Sequence, residues 1–119
     1  MKIVLVEDDK FFRDFYSFKL RERKLDVEVA PDGEEGIKKI MEVNPDVVLL
    51  DLIMPKKDRF EVLDAMNKAG LKIPVLVFST LGQDKDIQRA KQLGARGYMN
   101  KSFFDFEKLY NKIVELAKK

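Results

Sequence analysis

Two patterns of apolar residues alternate along the whole chain. Short runs of consecutive β-branched and aliphatic residues are typical of strands buried on both faces of a parallel sheet. Apolar residues spaced three or four positions apart are typical of helices that cover such a sheet. The runs predict strands over 2–6, 26–30, 47–50, 74–78 and 95–100. The spaced patterns predict helices over 10–23, 34–43, 60–68, 84–93 and from 104 to the end.

Strands and helices in strict alternation with short connections predict a parallel sheet with right-handed crossovers and helices on both faces. The expected fold is therefore α/β: one doubly wound domain of three layers, which suits a chain of 119 residues. The most apolar strands, ending at Leu50 and Phe78, should be central, and the more polar second strand should be an edge. Periodicity alone leaves the strand order open.

Polar residues follow four of the predicted strands, and they are Glu7, Asp8, Asp51, Ser79 and Lys101. The carboxyl ends of parallel strands meet at one edge of a sheet, where open α/β sheets bind their ligands. We therefore expect these side chains to lie close together. Asp51 alone would be explained as an ordinary turn aspartate, so the prediction of a site depends on the whole set.

Three carboxylates at one edge repel each other unless a cation joins them. The chain has no histidine and no cysteine, so its available ligands are oxygens, which favour Mg²⁺ over zinc. A Mg²⁺ ion together with Lys101 would formally neutralise Glu7, Asp8 and Asp51. The edge could then accept an anionic phosphoryl group.

Composition excludes several classes of function. A formal net charge of +2 gives no argument for direct binding to nucleic acid or to a membrane. The lack of cysteine suits a reducing compartment, so we expect a cytoplasmic protein. The lack of histidine means that any phosphohistidine donor must be another protein. No apolar run approaches the length of a membrane span.

At this point the chain resembles the response-regulator receiver domains of two-component signalling. The resemblance covers its whole length and is carried by the motifs at 3–8, 32–33 and 51–55 together with Ser79 and Lys101. It implies a flavodoxin-like sheet in the order 2-1-3-4-5. The prediction is one receiver domain over 1–119 without an output domain.

The resemblance also implies roles for individual residues. Asp51 would be the phosphoacceptor, with Mg²⁺ as the cofactor. Asp8 and Asp51 would bind the ion directly, as would the backbone carbonyl of Ile53, and Glu7 would act mainly through a metal-bound water. Lys101 would hold charge on the phosphoryl oxygens. Asp9, the third acid of the run, is expected to cap the first helix.

A switch is implied as well. Ser79 would bind a phosphoryl oxygen and draw the loop after the fourth strand inward, and Tyr98 would then turn from exposed to buried. Tyr98 is also explained simply as a half-buried strand tyrosine. Three positions depart from the family pattern. Arg59 stands where a glycine is common, and Thr80 replaces the usual small residue after Ser79. Ser102 follows Lys101 at a position where the family usually has a proline with a cis peptide bond before it.

The expected function is a phosphorylation-activated signalling switch rather than an enzyme. Its partners would be a histidine kinase or histidine phosphotransfer protein and a downstream effector protein, and it would be a monomer. A phosphorelay intermediate, or a receiver excised from a longer regulator, is the alternative.

Other classes fit less well. A haloacid-dehalogenase-type phosphatase needs a second acid two residues after its aspartate, where this chain has Ile53. A flavin binder needs a phosphate loop after strand one, where the acids at 7–9 would repel the phosphate. A pseudo-receiver that works without phosphorylation would not need the complete set of acids, hydroxyl and lysine.

The first helix carries two aromatic stripes, one formed by Phe12, Tyr16 and Leu20 and the other by Phe11, Phe15 and Phe18. Together they span roughly 200° of the helix, wider than the face that one helix normally buries. One interpretation is a broad core contact. The other is that Phe11, Phe15 or both stay partly exposed and dock the donor protein.

Overall fold

The computed structural model describes residues 1–54, 56–79, 83–100 and 105–118. Strands and helices alternate as β1 Lys2–Val6, α1 Lys10–Glu22, β2 Asp26–Ala30, α2 Gly33–Val43, β3 Val47–Asp51, α3 Lys56–Lys68, β4 Val75–Ser79, α4 Asp84–Gln92, β5 Gly97–Asn100 and α5 Phe106–Ala117. The predicted alternation of strand and helix is confirmed. None of the helices in the described ranges is long and apolar enough to cross a membrane.

The five strands form one parallel sheet in the order β2-β1-β3-β4-β5. This confirms the three-layer, flavodoxin-like fold and the strand order that the resemblance implied. Every residue of β3 is buried, as is every residue of β4, because both strands have neighbours on each side and helices on each face. The more polar β2 lies at an edge, as predicted.

Helix boundaries follow local capping chemistry. The side chain of Asp9 accepts hydrogen bonds from the backbone N–H groups of Phe11 and Phe12, which confirms its predicted role as the cap of α1. Asp32 caps α2 in the same way. Gly70 follows α3 with a φ of 70°, a left-handed conformation that glycine adopts at low cost.

The largest boundary error concerns α3. The sequence pattern predicted a start at Phe60, whereas the helix begins at Lys56. Its first turn consists of the charged residues 56–59. Such residues carry no apolar periodicity, so the pattern could not detect that turn.

The core has two parts, one on each face of the sheet. The part packed under α1 and α5 is rich in aromatic side chains and is called the aromatic side; its rings include Tyr16, Phe78 and the half-buried Phe12, Phe15 and Phe106. The part packed under α2, α3 and α4 is called the aliphatic side. Its buried members in the described ranges are Val, Leu, Ile, Met and Ala residues.

The two stripes of α1 have different surroundings. Tyr16 and Leu20 are buried and Phe12 packs partly against the core, whereas Phe11 is 70% exposed and Phe18 is 62% exposed. A broad core contact is therefore wrong for Phe11. Phe15, which belongs to the same stripe as Phe11, is half-buried and packs against the core.

The aromatic rings of α1 form a connected series. The Phe11 and Phe15 rings are stacked with centroids 6.2 Å apart, and Phe15 meets Tyr16 edge to face at 5.6 Å. Tyr16 in turn stacks on Phe78 of β4 at 5.1 Å, with the two planes only 2° from parallel. Contacting rings thus lead from the exposed surface of α1 to the sheet.

Candidate functional site

Three carboxylates meet at the carboxyl edge of the sheet. Glu7, Asp8 and Asp51 each offer an oxygen, and these oxygens all lie within 4.8 Å of one another. Because β1 and β3 are neighbours in parallel register, the residues that end them are brought to the same place. The convergence predicted for these three acids is confirmed.

The three acids differ in burial. Glu7 is 0% exposed and Asp51 is 1% exposed, while Asp8 is open to solvent. Leu5 and Leu49 belong to the aromatic side. Since side chains alternate along a strand, Glu7 and Asp51 continue toward that side. The pair is thus buried while the third carboxylate leaves the site accessible.

The backbone after β1 is fixed by Arg13. Its Nη1 donates to the carbonyl of Glu7 at 3.0 Å and to that of Asp8 at 3.2 Å. The Glu7 side chain accepts from the N–H of Asp9 at 3.2 Å. These bonds hold the two acids on a short, ordered loop. Sequence reasoning missed Arg13, because a lone arginine on a helix normally indicates only a solvated face.

Asp51 is held from its own loop. Its Oδ1 accepts a hydrogen bond from the N–H of Ile53 at 2.8 Å, and the N–H of Leu52 donates to the carbonyl of Phe78 at 2.8 Å. The carboxylate therefore has one oxygen tied to the backbone two residues later. The role of the Ile53 carbonyl as a metal ligand stays a prediction.

Tyr16 lies against this site from the aromatic side. Burial raises the pKa of its hydroxyl, and the charges of Glu7 and Asp51 raise that pKa further. The hydroxyl is therefore subject to the negative charge of both buried carboxylates. The sequence placed Tyr16 in a core stripe but could not show this proximity, which depends on how α1 is rotated over the sheet.

The acidic cluster fits a hard divalent cation. Two of its three carboxylates are buried, and burying like charges close together is costly unless a positive charge compensates them. The donor atoms are oxygens, which suit Mg²⁺ or a similar ion. The cluster of Glu7, Asp8 and Asp51 can thus bind a metal.

The proposed switch residues lie on the next two strands. Ser79 ends β4 and is 1% exposed; the residue before it, Phe78, pairs in register with Asp51. Tyr98 lies on β5 and is 52% exposed, with Nζ of Lys91 4.6 Å from its ring centroid. Lys101, Thr80 and Ser102 lie outside the described residues, so their roles and the Lys101–Ser102 peptide stay predictions.

Two side chains connect the carbonyl of Leu52, in the loop after Asp51, with the carboxylate of Asp86 on α4. Nη1 of Arg59 donates to the carbonyl of Leu52 at 3.3 Å and to Oδ2 of Asp86 at 2.9 Å. Nε2 of Gln83 donates to the same two acceptors, at 2.9 Å and 3.2 Å respectively. In the sequence Arg59 stands out only as a departure from the family pattern, and no motif or periodicity points to Gln83 or Asp86.

The fold and this acidic edge define a class of protein. A family profile described as "Response regulator receiver domain" matches residues 3–114. The chain belongs to this family.

Individual relatives agree. The chain is 33% identical over 102 residues to the alkaline phosphatase synthesis transcriptional regulatory protein PhoP of Bacillus subtilis, a match that covers 86% of this chain and 42% of PhoP. It resembles the Vibrio cholerae chemotaxis protein CheY4 (TM-score 0.86, 28% identity, 97% of each chain). It also resembles the BeF3-activated receiver domain of Klebsiella pneumoniae RstA (TM-score 0.84, 28% identity, 98% of each chain).

The chain spans less than half the length of the curated relatives it matches, between 42% and 49%. The activities that reside in the remaining parts of those longer proteins are therefore not assigned to this chain.

Proposed function

We propose that this receiver domain is a phosphorylation-activated signalling switch. A phosphohistidine on a histidine kinase or histidine phosphotransfer protein would supply the phosphoryl group, and Asp51 would accept it with Mg²⁺ as cofactor. The observation that carries the proposal is the buried Asp51 with oxygens of Glu7 and Asp8 within 4.8 Å. Family membership supports the same assignment.

The transfer reaction follows from how Asp51 is held. Its Oδ1 is bound to the N–H of Ile53, and this bond orients the carboxylate that attacks phosphorus. The P–O bond to Asp51 forms as the P–N bond to the donor imidazole breaks, and the imidazole nitrogen leaves with the electron pair. The product is an acyl phosphate, which water later hydrolyses.

A bound Mg²⁺ supplies positive charge to the phosphoryl oxygens when it is present. Asp8, Asp51 and the Ile53 carbonyl would hold it directly, and Glu7 would act through water. Lys101 would contribute a second positive charge. The burial of Glu7 and Asp51 strengthens every such interaction, because a low-dielectric environment screens charges weakly.

The output is proposed to be a changed protein-binding surface. Ser79 would bind a phosphoryl oxygen, and Tyr98 would leave its exposed position beside Lys91. A cation–π contact at an exposed site contributes only about 0.5–1 kcal/mol, so the outward position of Tyr98 is held weakly. A modest gain elsewhere can therefore move the ring.

Phe11 and Phe15 are proposed to dock the donor. Phe11 is mostly exposed, lies in the first turn of α1 and is only three residues after the acidic Asp8. An apolar pair there would pack against a helix of the donor and bring its histidine toward Asp51. The burial of Tyr16 behind this pair gives it a rigid support.

The further proposals concern context. The domain would act as a cytoplasmic monomer that promotes only its own phosphorylation and dephosphorylation, and it would signal through a downstream effector. The alternative is a receiver that works within a longer regulator; the relative PhoP is longer than this chain. A phosphorelay intermediate would use the same Asp51 chemistry.

The test is labelling by a small acyl-phosphate donor. The protein with acetyl phosphate and Mg²⁺ should gain one phosphoryl group that survives acid and is lost in base. Asp51→Asn should abolish labelling, and Asp8→Ala should greatly weaken Mg²⁺ binding. The matched control is Asp46→Asn, at the opposite end of β3, where the side chain accepts from the N–H of Lys2 at 2.8 Å. Undiminished labelling of Asp51→Asn would contradict the assignment.

A further inference from the structure

Arg59 and Gln83 act on a single peptide group. Both donate to the carbonyl oxygen of Leu52, and that carbonyl shares its peptide plane with the N–H of Ile53. In a planar trans peptide the C=O and N–H point in opposite directions. The N–H of this peptide donates to Oδ1 of Asp51 at 2.8 Å. One rigid unit therefore has two side-chain donors at one end and the Asp51 carboxylate at the other.

Asp86 fixes the two donors. Its Oδ2 accepts from Arg59 at 2.9 Å and from Gln83 at 3.2 Å, so each donor serves the same two acceptors. The side chains of Arg59 and Asp86 are only 19% and 25% exposed, and screening by solvent is correspondingly reduced. The positive charge on Arg59 is thereby held beside the Leu52 carbonyl.

The orientation of the Arg59 guanidinium is set by the two bonds that its Nη1 donates. Nε of Arg59 is buried and has no hydrogen-bond partner within the part of the chain that the structure describes. An unmade bond of a buried donor costs stability. The side chain keeps this orientation in spite of that cost, with Nη1 directed at Leu52 and Asp86.

We propose that Arg59 and Gln83 are positioning residues for the phosphoacceptor, acting through the Leu52–Ile53 peptide. The inference rests on the proposed function, in which Asp51 accepts the phosphoryl group. Fixing the peptide fixes Oδ1, and this sets the orientation in which the carboxylate meets phosphorus. The donors also polarise the peptide and strengthen its N–H as a donor to the carboxylate.

The experiment removes the donors and keeps the side-chain volume. Arg59→Met, Gln83→Met and the double variant are compared with wild type for the rate of labelling by acetyl phosphate with Mg²⁺. The amide resonance and hydrogen exchange of Ile53 are followed by NMR in the same variants. Arg89→Met, at an arginine on the neighbouring helix α4, is the matched control for loss of a positive charge.

The double variant should be labelled about tenfold more slowly, within the loss that small misplacement of a reacting group causes. Its Ile53 amide should shift and exchange faster. Arg59→Lys, which keeps a charged donor, should recover part of the rate, and Arg89→Met should match wild type. A residue that only braced α3 against α4 would change global stability without moving the Ile53 resonance.

The possible failures are distinct. Wild-type protein that gains no phosphoryl group on Asp51 would overturn the proposed function itself. Normal labelling of wild type and of the double variant, with an unchanged Ile53 amide, would overturn only the positioning role. If Arg59→Met does not fold, Gln83→Met decides, because it removes the shorter bond to the Leu52 carbonyl and leaves the Arg59–Asp86 ion pair in place.

Discussion

Asp51 is held by different interactions on the two sides of the sheet. From the aromatic side, the buried Tyr16 stacks on Phe78, and the charges of Glu7 and Asp51 act on its hydroxyl. From the other direction, Arg59 and Gln83 bind the backbone of the Asp51 loop. Asp51 therefore lies between two different environments. On one side is the packed aromatic core, in which Asp51 is almost fully buried, and on the other is a network of hydrogen bonds that orients its carboxylate.

Removing the central ring of the aromatic side should have the largest effect on stability. Tyr16→Ala should lower the free energy of unfolding by about 3–5 kcal/mol, the range for truncating a large buried aromatic residue. Urea unfolding measures this loss. Phe18→Ala, on the same helix but 62% exposed, should cost less than about 0.5 kcal/mol. Equal losses in the two variants would show that Tyr16 is not a core residue.

The aliphatic side should respond to added volume. A Cβ on Gly36 of α2 would lie 2.7 Å from Cγ2 of Val6, so Gly36→Ala should cost about 1–3 kcal/mol through overpacking. Alanine ordinarily gains about 0.5–1 kcal/mol over glycine in a helix interior, so the net loss expected in the measurement is up to about 2.5 kcal/mol. The measurement is again urea unfolding.

The double variant Gly36→Ala, Val6→Ala sharpens the same test. Removing the Val6 methyl groups restores space, so the double variant should be more stable than the sum of the two single losses predicts. Strictly additive losses would mean that the helix moves away from β1 instead of pressing on Val6.

The pH dependence of stability in the alkaline range distinguishes the contribution of the Tyr16 hydroxyl from that of its ring. Its pKa in the folded protein is raised above the ordinary 10.0, so above about pH 10 the unfolded chain loses this proton first. Stability should therefore fall with rising pH by up to about 1.4 kcal/mol per pH unit from this group. Unfolding of Tyr16→Phe should lack that part of the slope. Tyr98→Phe, at a 52% exposed tyrosine, should retain it; equal slopes in all three proteins would contradict the placement of Tyr16.

The smallest effect on stability is expected at the outer surface of α1. Phe11→Ala should change the free energy of unfolding by less than about 0.5 kcal/mol and leave labelling by acetyl phosphate intact. Transfer from the cognate histidine protein should fall, because the docking contact is lost. A stability loss of several kcal/mol would return Phe11 to the core, and unchanged transfer would end the docking proposal.

The strands and the acidic cluster could be predicted from the sequence because both depend on the topology of the sheet. Apolar runs identify the strands, and parallel strands must bring their carboxyl ends to one edge, so the residue pattern alone suffices to place Glu7, Asp8 and Asp51 together. The position of Tyr16 could not be predicted, since it depends on the rotation of α1 over the sheet. Gln83 precedes α4 and lies outside any periodic pattern. Its bond to the Leu52 carbonyl depends on how the loop after β3 lies against the start of α4.

The series of aromatic rings from Phe11 to Phe78 also provides an intrinsic spectroscopic signal for the packing of the domain. The chain has no tryptophan, and a tyrosine fixed in an asymmetric stack gives a near-ultraviolet circular dichroism signal that disappears when specific packing is lost. Tyr16 is such a residue, and Phe78 directly precedes Ser79. Displacement of β4 at its carboxyl end would therefore change the near-ultraviolet circular dichroism signal of Tyr16. The domain can thus be followed spectroscopically without attaching a dye.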